Sequence, residues 1–173
     1  MSPSSADANA FVILRRAPAP SDAQWGAEVA PTIAQPTADQ GLNINESRLL
    51  IRAPEGTAGL IPGNGATCFI SHTAVLGTVT SCSEDGWASA HGGWGIVGTV
   101  GGRTVVQGVV PDRIDRVVFG FSTGLPTTVT LNANHAYSEE LTTEPVSRAT
   151  YADGALVEQT RFGSGSSGTY FGQ

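Results

Sequence analysis

The sequence predicts a mostly β fold, built as an antiparallel β-sandwich or as meander sheets with one short N-terminal helix. Three observations carry this prediction. The 173 residues include 22 glycines and 10 prolines, which favours frequent turns and short strands over long helices. From Arg48 onward, short runs of β-branched and apolar residues alternate with turn pairs, as in antiparallel strands. The connections between these runs are too short for crossover helices, which disfavours a parallel sheet and predicts that the strands within 95–161 pair in sequence as a meander.

Length and composition indicate one folded domain with a tail at each end. The chain is 40% hydrophobic and 14% charged, which is too apolar for a disordered chain, and its length suffices for a core of its own. We predict a disordered tail over residues 1–10 and an N-terminal segment over 11–46 that packs on the core. The β domain follows over 47–162, and a Gly-Ser-rich flexible tail over 163–173.

The N-terminal segment contains an apolar run and one helix signal. The run Phe11 to Leu14 is far shorter than the ~20 residues that span a bilayer, so we expect a strand or a docking segment. The proline-spaced stretch after it permits only one short helix. That helix is capped by Ser21 or Asp22 and carries Trp25 and Val29 on one face, where they can pack on the core.

The β domain is predicted from turn pairs and alternating runs. Asn64-Gly65, Gly101-Gly102 and Asp153-Gly154 supply the positive φ angles of two-residue hairpins. In the runs between them apolar side chains alternate with polar ones, so each strand has one face to bury, and two such sheets packed together make a sandwich. Ten segments fit, of which we expect one or two not to form strands: Arg48 to Ala53, Ala58 to Pro62, Ala66 to Ser71, Gly95 to Val100, Thr104 to Val110, Asp115 to Phe121, Thr127 to Asn132, Ala136 to Leu141, Val146 to Tyr151 and Ala155 to Arg161.

The charge pattern disfavours nucleic acid as a partner. The formal net charge is −6, and all nine basic residues are arginines scattered along the chain. Binding to a phosphate backbone requires a basic stripe or patch. An acidic surface mainly opposes association, and we expect a monomer.

Five stretches of the C-terminal half together form a pattern that resembles a known group of proteins. They are Gly108 to Val117, Thr127 to Leu131, Asn134 to Tyr137, Pro145 to Tyr151 and Asp153-Gly154. This order resembles the C-terminal half of uncharacterised extracytoplasmic proteins of actinobacteria. Those proteins repeat Val-Pro-Asp-Gly-Val-x-x-Val, a threonine-rich strand, Asp-Asn-x-Tyr and a last strand ending in Asp-x-Asp-Gly.

The resemblance extends upstream and implies a location. Phe11 to Arg16 is similar to the stretch that follows the membrane helix in that family, and the two cysteines match its usual pair. The chain departs from the family at Arg113, where a turn glycine is usual, and at Asn132 to His135, which lacks the aspartate. The resemblance implies a secreted or membrane-tethered protein, tethered by a helix upstream of Ser2. It carries no catalytic residue over, because the family has no established activity.

Cys68 and Cys82 are the two cysteines, so only one bridge is possible. Free thiols of a secreted chain tend to oxidise, and we expect a structural disulfide between them. Closing a loop of this length stabilises a fold by ~3 kcal/mol in the chain-entropy model. Buried thiols or a redox-active pair remain alternatives, although the Cys-x-x-Cys spacing typical of redox catalysis is absent.

The sequence patterns typical of catalysis are weak. His72, His91 and His135 lack the spacing that places two metal ligands on one element. No Gly-x-Ser-x-Gly elbow presents a serine nucleophile, and the Gly-x-Gly-x-x-Gly match from Gly93 lies within a β run, where it cannot bind a dinucleotide. The carboxylate pairs Glu84-Asp85 and Glu139-Glu140 read as solvated charges. We therefore predict no catalytic residue, no metal and no cofactor.

The stretch from Gly86 to Gly95 is the most suggestive of binding. Trp87, His91 and Trp94 lie there among small residues, and exposed aromatic rings stack on sugars or peptides. The competing interpretation is that the tryptophans cover an open end of the core beside the cysteines. Our leading hypothesis is a non-catalytic extracytoplasmic interaction or sensor domain whose partner is an unknown protein or glycan. A carbohydrate-binding or cell-wall-binding module using Trp87 and Trp94 is the alternative, and a hydrolase ranks last.

Overall fold

The computed structural model describes residues 6–33, 41–163 and 168–171. These residues form three four-stranded antiparallel sheets and a few short helices, which confirms the mostly β prediction. The helices are α1 (Ala6–Ala10), α2 (Val12–Arg15), α3 (Pro20–Val29) and α4 (Trp87–Ala90), with 3₁₀ turns at Ala30–Thr32 and Ile44–Glu46. The strands are β1 (Arg48–Ala53), β2 (Gly56–Pro62), β3 (Ala66–Thr73), β4 (Gly77–Glu84), β5 (Trp94–Val100), β6 (Arg103–Val109), β7 (Arg116–Gly120), β8 (Thr127–Val129), β9 (Ala136–Leu141), β10 (Ser147–Ala152), β11 (Ala155–Arg161) and β12 (Gly168–Phe171).

The three sheets differ in how their strands follow the chain. The first sheet is a meander with the order β1-β2-β3-β4. The second sheet has the order β12-β5-β6-β9, and the third has the order β11-β10-β7-β8. The sequential pairing predicted for 95–161 is therefore wrong beyond the pairs β5-β6, β7-β8 and β10-β11. After β6 the chain crosses to the third sheet for β7 and β8, returns to the second sheet for β9, and crosses again for β10 and β11.

Three apolar clusters show that these elements stack as layers. One cluster joins the first sheet to the second and includes Leu60 and Phe69 from the first and Trp94 from the second. Another joins the second sheet to the third. A third cluster lies where α3 covers the outer face of the first sheet, with Trp25 against Cys68. The order is thus α3, first sheet, second sheet, third sheet, so a third sheet is added to the predicted sandwich.

The middle position of the second sheet explains its composition. β5 and β6 are buried along almost their whole length, because both faces pack against another sheet. Ile96 packs toward the first sheet, whereas its neighbour Val97 packs toward the third. Strands buried on both faces show continuous apolar runs rather than alternation.

Helix α3 begins at Pro20, and its first turn is held by Asp22. The Asp22 carboxylate accepts a hydrogen bond from Ala19 N at 2.6 Å, so of the two predicted capping residues Asp22 makes the contact. Trp25 and Val29 are fully buried as predicted. The Trp25 ring lies so close to Gly59 that a Cβ there would collide with it, and only glycine fits this position of β2.

Several local predictions need correction. Residues Ala6–Ala10 form α1 within the predicted tail. The run from Phe11 is not a strand: α2 covers Val12–Arg15, and the docking alternative fits because Phe11 and Ile13 are buried. There are four helices rather than one among the described residues. All ten predicted segments contain strands, and β4 and β12 were not predicted. Strand β12 lies in the predicted flexible tail, of which 164–167 and 172–173 are outside the described residues.

Two of the three hairpin predictions are confirmed. Gly101-Gly102 and Asp153-Gly154 are two-residue turns with positive φ at both positions, which matches the right-handed strand twist. At Asn64-Gly65 the connection has one more residue, Gly63, whose N–H donates to the Ala66 carbonyl oxygen. Among the described helices, none is long and apolar enough to cross a membrane.

Candidate functional site

The two cysteines form the predicted disulfide. Cys68 on β3 and Cys82 on β4 are register partners with a Cα–Cα distance of 4.0 Å. Cys68 is fully buried beneath α3, beside Trp25 and Ile61. The bond therefore joins the last two strands of the first sheet under its helical cover, which is the place of a structural cross-link.

Trp94 is part of the core and does not face solvent. It begins β5, in the layer between the first and second sheets, and its exposure is 0%. Its Nε1 donates to Ser83 Oγ at 2.9 Å, and its ring centroid lies 4.9 Å from that of Phe11. The prediction of Trp94 as a ligand-binding residue is thus not supported, because both its ring and its polar atom are occupied inside the protein.

Trp87 and His91 form a stacked pair at the surface. Trp87 begins α4 and is half-buried, whereas His91 follows the helix and is exposed. Their ring centroids are 4.1 Å apart with an interplanar angle of 16°. His91 Nδ1 lies 2.7 Å from the Trp87 carbonyl oxygen, which fixes the imidazole over the indole. Of the three predicted binding residues, these two remain together at the surface.

Gly92, the residue after His91, covers a polar cluster that was not predicted from the sequence. The buried Arg148 of β10 donates from Nη2 to the Gly92 carbonyl oxygen at 2.8 Å. A Cβ at Gly92 would lie 3.1 Å from Glu158 Oε2 and 3.6 Å from Thr150 Oγ1. Gly92 has a φ of +80°, so glycine is favoured by both conformation and space. The sequence signal is the alternation of Arg148 and Thr150, which places both on the inward face of β10 with Val117 and Phe119.

Tyr137, on β9 of the second sheet, is the remaining member of this cluster. It is fully buried, and its phenol lies beside the Arg148 guanidinium. Burial raises the pKa of Tyr137, and the nearby Arg148 guanidinium acts in the opposite direction. The phenol therefore stays neutral. The cluster lies between two sheets rather than in an open cleft, and it helps to position β9 against β10.

A series of hydrogen-bonded polar side chains runs from the first sheet to the second. Ser71 Oγ donates to Gln107 Oε1 at 2.6 Å, and Gln107 Nε2 donates to Ser138 Oγ at 3.0 Å. The Ser138 hydroxyl then donates to Glu55 Oε2 at 2.9 Å. Buried polar groups need such partners, and this series fixes how the two sheets lie on each other.

The three histidines contact groups other than serine. The Nδ1 atoms lie 2.7 Å from Thr78 Oγ1 at His72, 2.7 Å from the Trp87 carbonyl at His91, and 3.1 Å from the Ile114 carbonyl at His135. These contacts give no support to a serine–histidine pair. Within 6–33, 41–163 and 168–171, no group of three or more His, Cys, Asp or Glu residues is placed to hold a metal ion.

The two carboxylate pairs lie in separate structural contacts. Asp85 accepts hydrogen bonds from the backbone N–H groups at the start of α1. Glu139 accepts from Thr130 N, and Glu140 binds Arg103 in a two-pronged contact at 2.8 and 2.9 Å. That contact lowers the pKa of Glu140. Neither pair has the arrangement of a general acid facing a general base.

The edge strand β11 carries exposed apolar side chains. Leu156 is 55% exposed and Val157 is 40% exposed, and the strand pairs with β10 on one side only. The pairing has a bulge where Thr150 and Tyr151 face β11. Tyr151 is the register partner of Leu156. Its ring stacks under the Arg116 guanidinium, with Arg116 Cζ 4.2 Å from the ring centroid.

Comparison of the chain with protein-family models, with curated proteins and with solved structures finds no match.

Proposed function

We propose that the chain is a non-catalytic interaction domain of an extracytoplasmic protein, and that β11 binds an extended segment of a protein partner. The observation that carries this proposal is the pair of exposed apolar residues, Leu156 and Val157, on an edge strand. An edge strand presents unpaired N–H and C=O groups that accept a further strand. In strand addition the backbone supplies affinity and the alternate side chains supply specificity.

The location outside the cytoplasm is supported by the disulfide. Cys68 and Cys82 are bonded, and such bonds persist mainly in oxidising compartments. The resemblance to actinobacterial extracytoplasmic proteins favours the same location. A tether through a membrane helix upstream of Ser2 belongs to this proposal.

The test uses a photo-activated crosslinking residue in the full-length protein inside its own cells. We expect an adduct with a protein partner when the probe replaces Leu156. Leu125 is the matched control, because it is an 88% exposed leucine in the loop between β7 and β8. An adduct from Leu156 and none from Leu125 supports the proposal, whereas no adduct from Leu156, or equal adducts from both, contradicts it.

A glycan-binding module is the second candidate, and the stacked pair of Trp87 and His91 favours it. The site is smaller than the predicted one, since Trp94 is buried. Titration with cell-wall glycan fragments, followed by calorimetry, tests this candidate. Binding that is lost in Trp87→Ala and retained in His72→Ala, an exposed histidine on the first sheet, would favour it over strand addition, and no saturable change would remove it.

A further inference from the structure

Residues 6–15, which we call the docked segment, fill an apolar groove between the first and second sheets. Phe11 and Ile13 are 1% and 0% exposed and belong to the same cluster as Trp94. The segment consists of α1 and α2, with five and four residues. Helices this short are unstable alone, so the groove determines the conformation of the segment. The groove is walled by Leu50, Leu60, Phe69, Trp94, Val109 and Ala136.

Asp112 binds the backbone of the segment on both sides of Phe11, the main anchor of the segment in the groove. Asp112 N donates to the Ala10 carbonyl oxygen at 2.8 Å, and Asp112 Oδ1 accepts from Val12 N at 2.8 Å. Phe11 lies between these two contacts. The other carboxylate oxygen of Asp112 binds Arg15 Nη2 at 2.6 Å. One residue thus holds two backbone groups and a side chain of the segment.

The sheets do not depend on the segment for their pairing. Every strand of the three sheets pairs with other strands, and α1 and α2 add none. The chain leaves the groove at Arg16, which is extended with a ψ of 154°, and continues through the exposed Ala17 and Pro18. Arg16 is fixed by its ion pair with Asp22. A segment that leaves the groove therefore pivots at the junction of Arg15 and Arg16, while Arg16 stays paired with Asp22.

Asp7 makes the docking of α1 weaker than the apolar contacts suggest. Its Oδ1 accepts from Ser89 N at 3.3 Å, whereas Oδ2 is buried without a partner in the described part of the chain. Burial raises the pKa of Asp7, with a small further rise from Asp85, against hydrogen bonds from Gly86 and Ser89 that lower it. Burial disfavours the charged form of a carboxylate, so ionisation of Asp7 opposes the docked state.

We propose that this groove is a binding site for a peptide of the form Phe-x-Ile-x-Arg, filled in a single chain by its own segment and by the segment of a second copy when two chains exchange. The groove fits this sequence because Phe11 and Ile13 fill it and Asp112 binds the arginine. Every copy of the chain carries the same ligand. Exchange of a docked element between identical chains is a low-cost route to a dimer.

The first test uses the full-length variant Phe11→Asp with Ile13→Asp, whose own segment cannot dock. The probe is a fluorescent peptide with the sequence of residues 6–16. We expect saturable binding to the variant, binding at least tenfold weaker to the unmodified chain, and none for a peptide with alanine at both anchors. A folded variant that does not bind the peptide, or binds both peptides equally, overturns the proposal.

A second measurement needs no variant, and it tests whether the segment leaves the groove even if the double variant fails to fold. In hydrogen exchange of the unmodified chain, the amides of Phe11 and Leu14, which donate to carbonyl oxygens within the segment, are expected to exchange at least tenfold faster than those of β6. That result means that the segment leaves while the sheets stay formed. Equal rates, with the segment opening only in global unfolding, contradict the proposal.

The exchange between copies is tested by a crosslinking residue in place of Phe11 in the full-length chain. We expect dimeric adducts whose yield rises with protein concentration and falls when the peptide of residues 6–16 is added. The same probe at Leu125 is the control. Adducts confined to single chains at every concentration would show that a second copy does not supply the segment. Because β11 is not part of this groove, these outcomes are independent of the crosslinking test at Leu156.

Discussion

At the residue scale, the Asp22 side chain joins three separate parts of the chain. Its buried carboxylate binds Arg16 through both oxygens at 2.6 and 2.8 Å, and accepts from Ala19 N and from Leu49 N on β1. Burial alone would raise the pKa of Asp22, but these hydrogen bonds and the Arg16 charge outweigh it and lower the pKa. One carboxylate thus fixes the end of α2, the start of α3 and the first strand.

We predict that Asp22→Asn lowers the free energy of unfolding by about 2–4 kcal/mol at pH 7, since removing one member of a buried ion pair leaves the other unpaired. The folded pKa is below the unfolded value, so this contribution is present above that value and is lost as the pH falls through the folded pKa. Urea unfolding across pH measures it. The control is Glu28→Gln, which removes an exposed ion pair with Arg52 at 3.5 Å and should change little. Equal losses in both variants would contradict the role of Asp22.

The pH dependence of stability expected from Asp7 is opposite to that expected from Asp22. Burial, as the main cause, raises the folded pKa of Asp7 above its ordinary value of 3.8. Stability is therefore full below that ordinary value and falls as the pH rises through the folded pKa. We predict that Asp7→Asn raises the free energy of unfolding at pH 7 and that the difference vanishes near pH 3.8 and below. Urea unfolding of both proteins at the two pH values tests this. A variant less stable than the unmodified chain at pH 7 would show that the charge favours docking.

The sequence predicted some residue roles and could not separate others. Trp25 and Val29 repeat at helical spacing and are buried as expected. Trp87 and Trp94, in contrast, lie in one glycine-rich stretch with no pattern to tell them apart. Only the layer above β5 decides that Trp94 is buried. Arg148 is similar, because a charged residue in a strand reads as exposed until its partner strands are known.

At the element scale, three strands were predicted to the residue. Arg48–Ala53, Ala136–Leu141 and Ala155–Arg161 form strands with the predicted bounds. Strand β4, Gly77–Glu84, was missed because half of its residues are serine or threonine and it is only partly buried. Its pairing with β3 and the disulfide stabilise it, and these are tertiary effects. The run at Phe11 was ambiguous because four apolar residues are too few to show a period.

The disulfide tests the importance of β4. We predict that reduction of the bond between Cys68 and Cys82 lowers the free energy of unfolding by ~2–4 kcal/mol, which corresponds to roughly 5–15 °C in Tm for a chain of this size. Thermal unfolding with and without reductant measures the change. The double variant Cys68→Ser with Cys82→Ser should unfold at the lower temperature and not respond to reductant. An unchanged Tm in fully reduced protein would mean that pairing alone holds β4.

At the scale of the whole molecule, strand composition is consistent with the three stacked sheets but does not predict them. The long apolar runs of β5 and β6 are typical of strands covered on both faces, but a short apolar run alone is equally compatible with a buried helix. The sequence predicted antiparallel sheets with buried faces. It could not predict that β7 and β8 join β10 while β9 returns to β6, since the alternation of a strand does not specify its neighbours.

The same stacking makes β11 the exposed apolar edge of the third sheet, and the proposed function depends on this edge. Lysine on an edge strand opposes the addition of another strand, and the exposed positions Leu156 and Val157 tolerate it without loss of core packing. The most direct measurement is crosslinking in cells from a probe at Gln159, an exposed position of β11, with and without Leu156→Lys and Val157→Lys. The account predicts a partner adduct that the two lysines abolish while Tm stays unchanged. An adduct that persists at full yield in the folded lysine variant would contradict binding through β11.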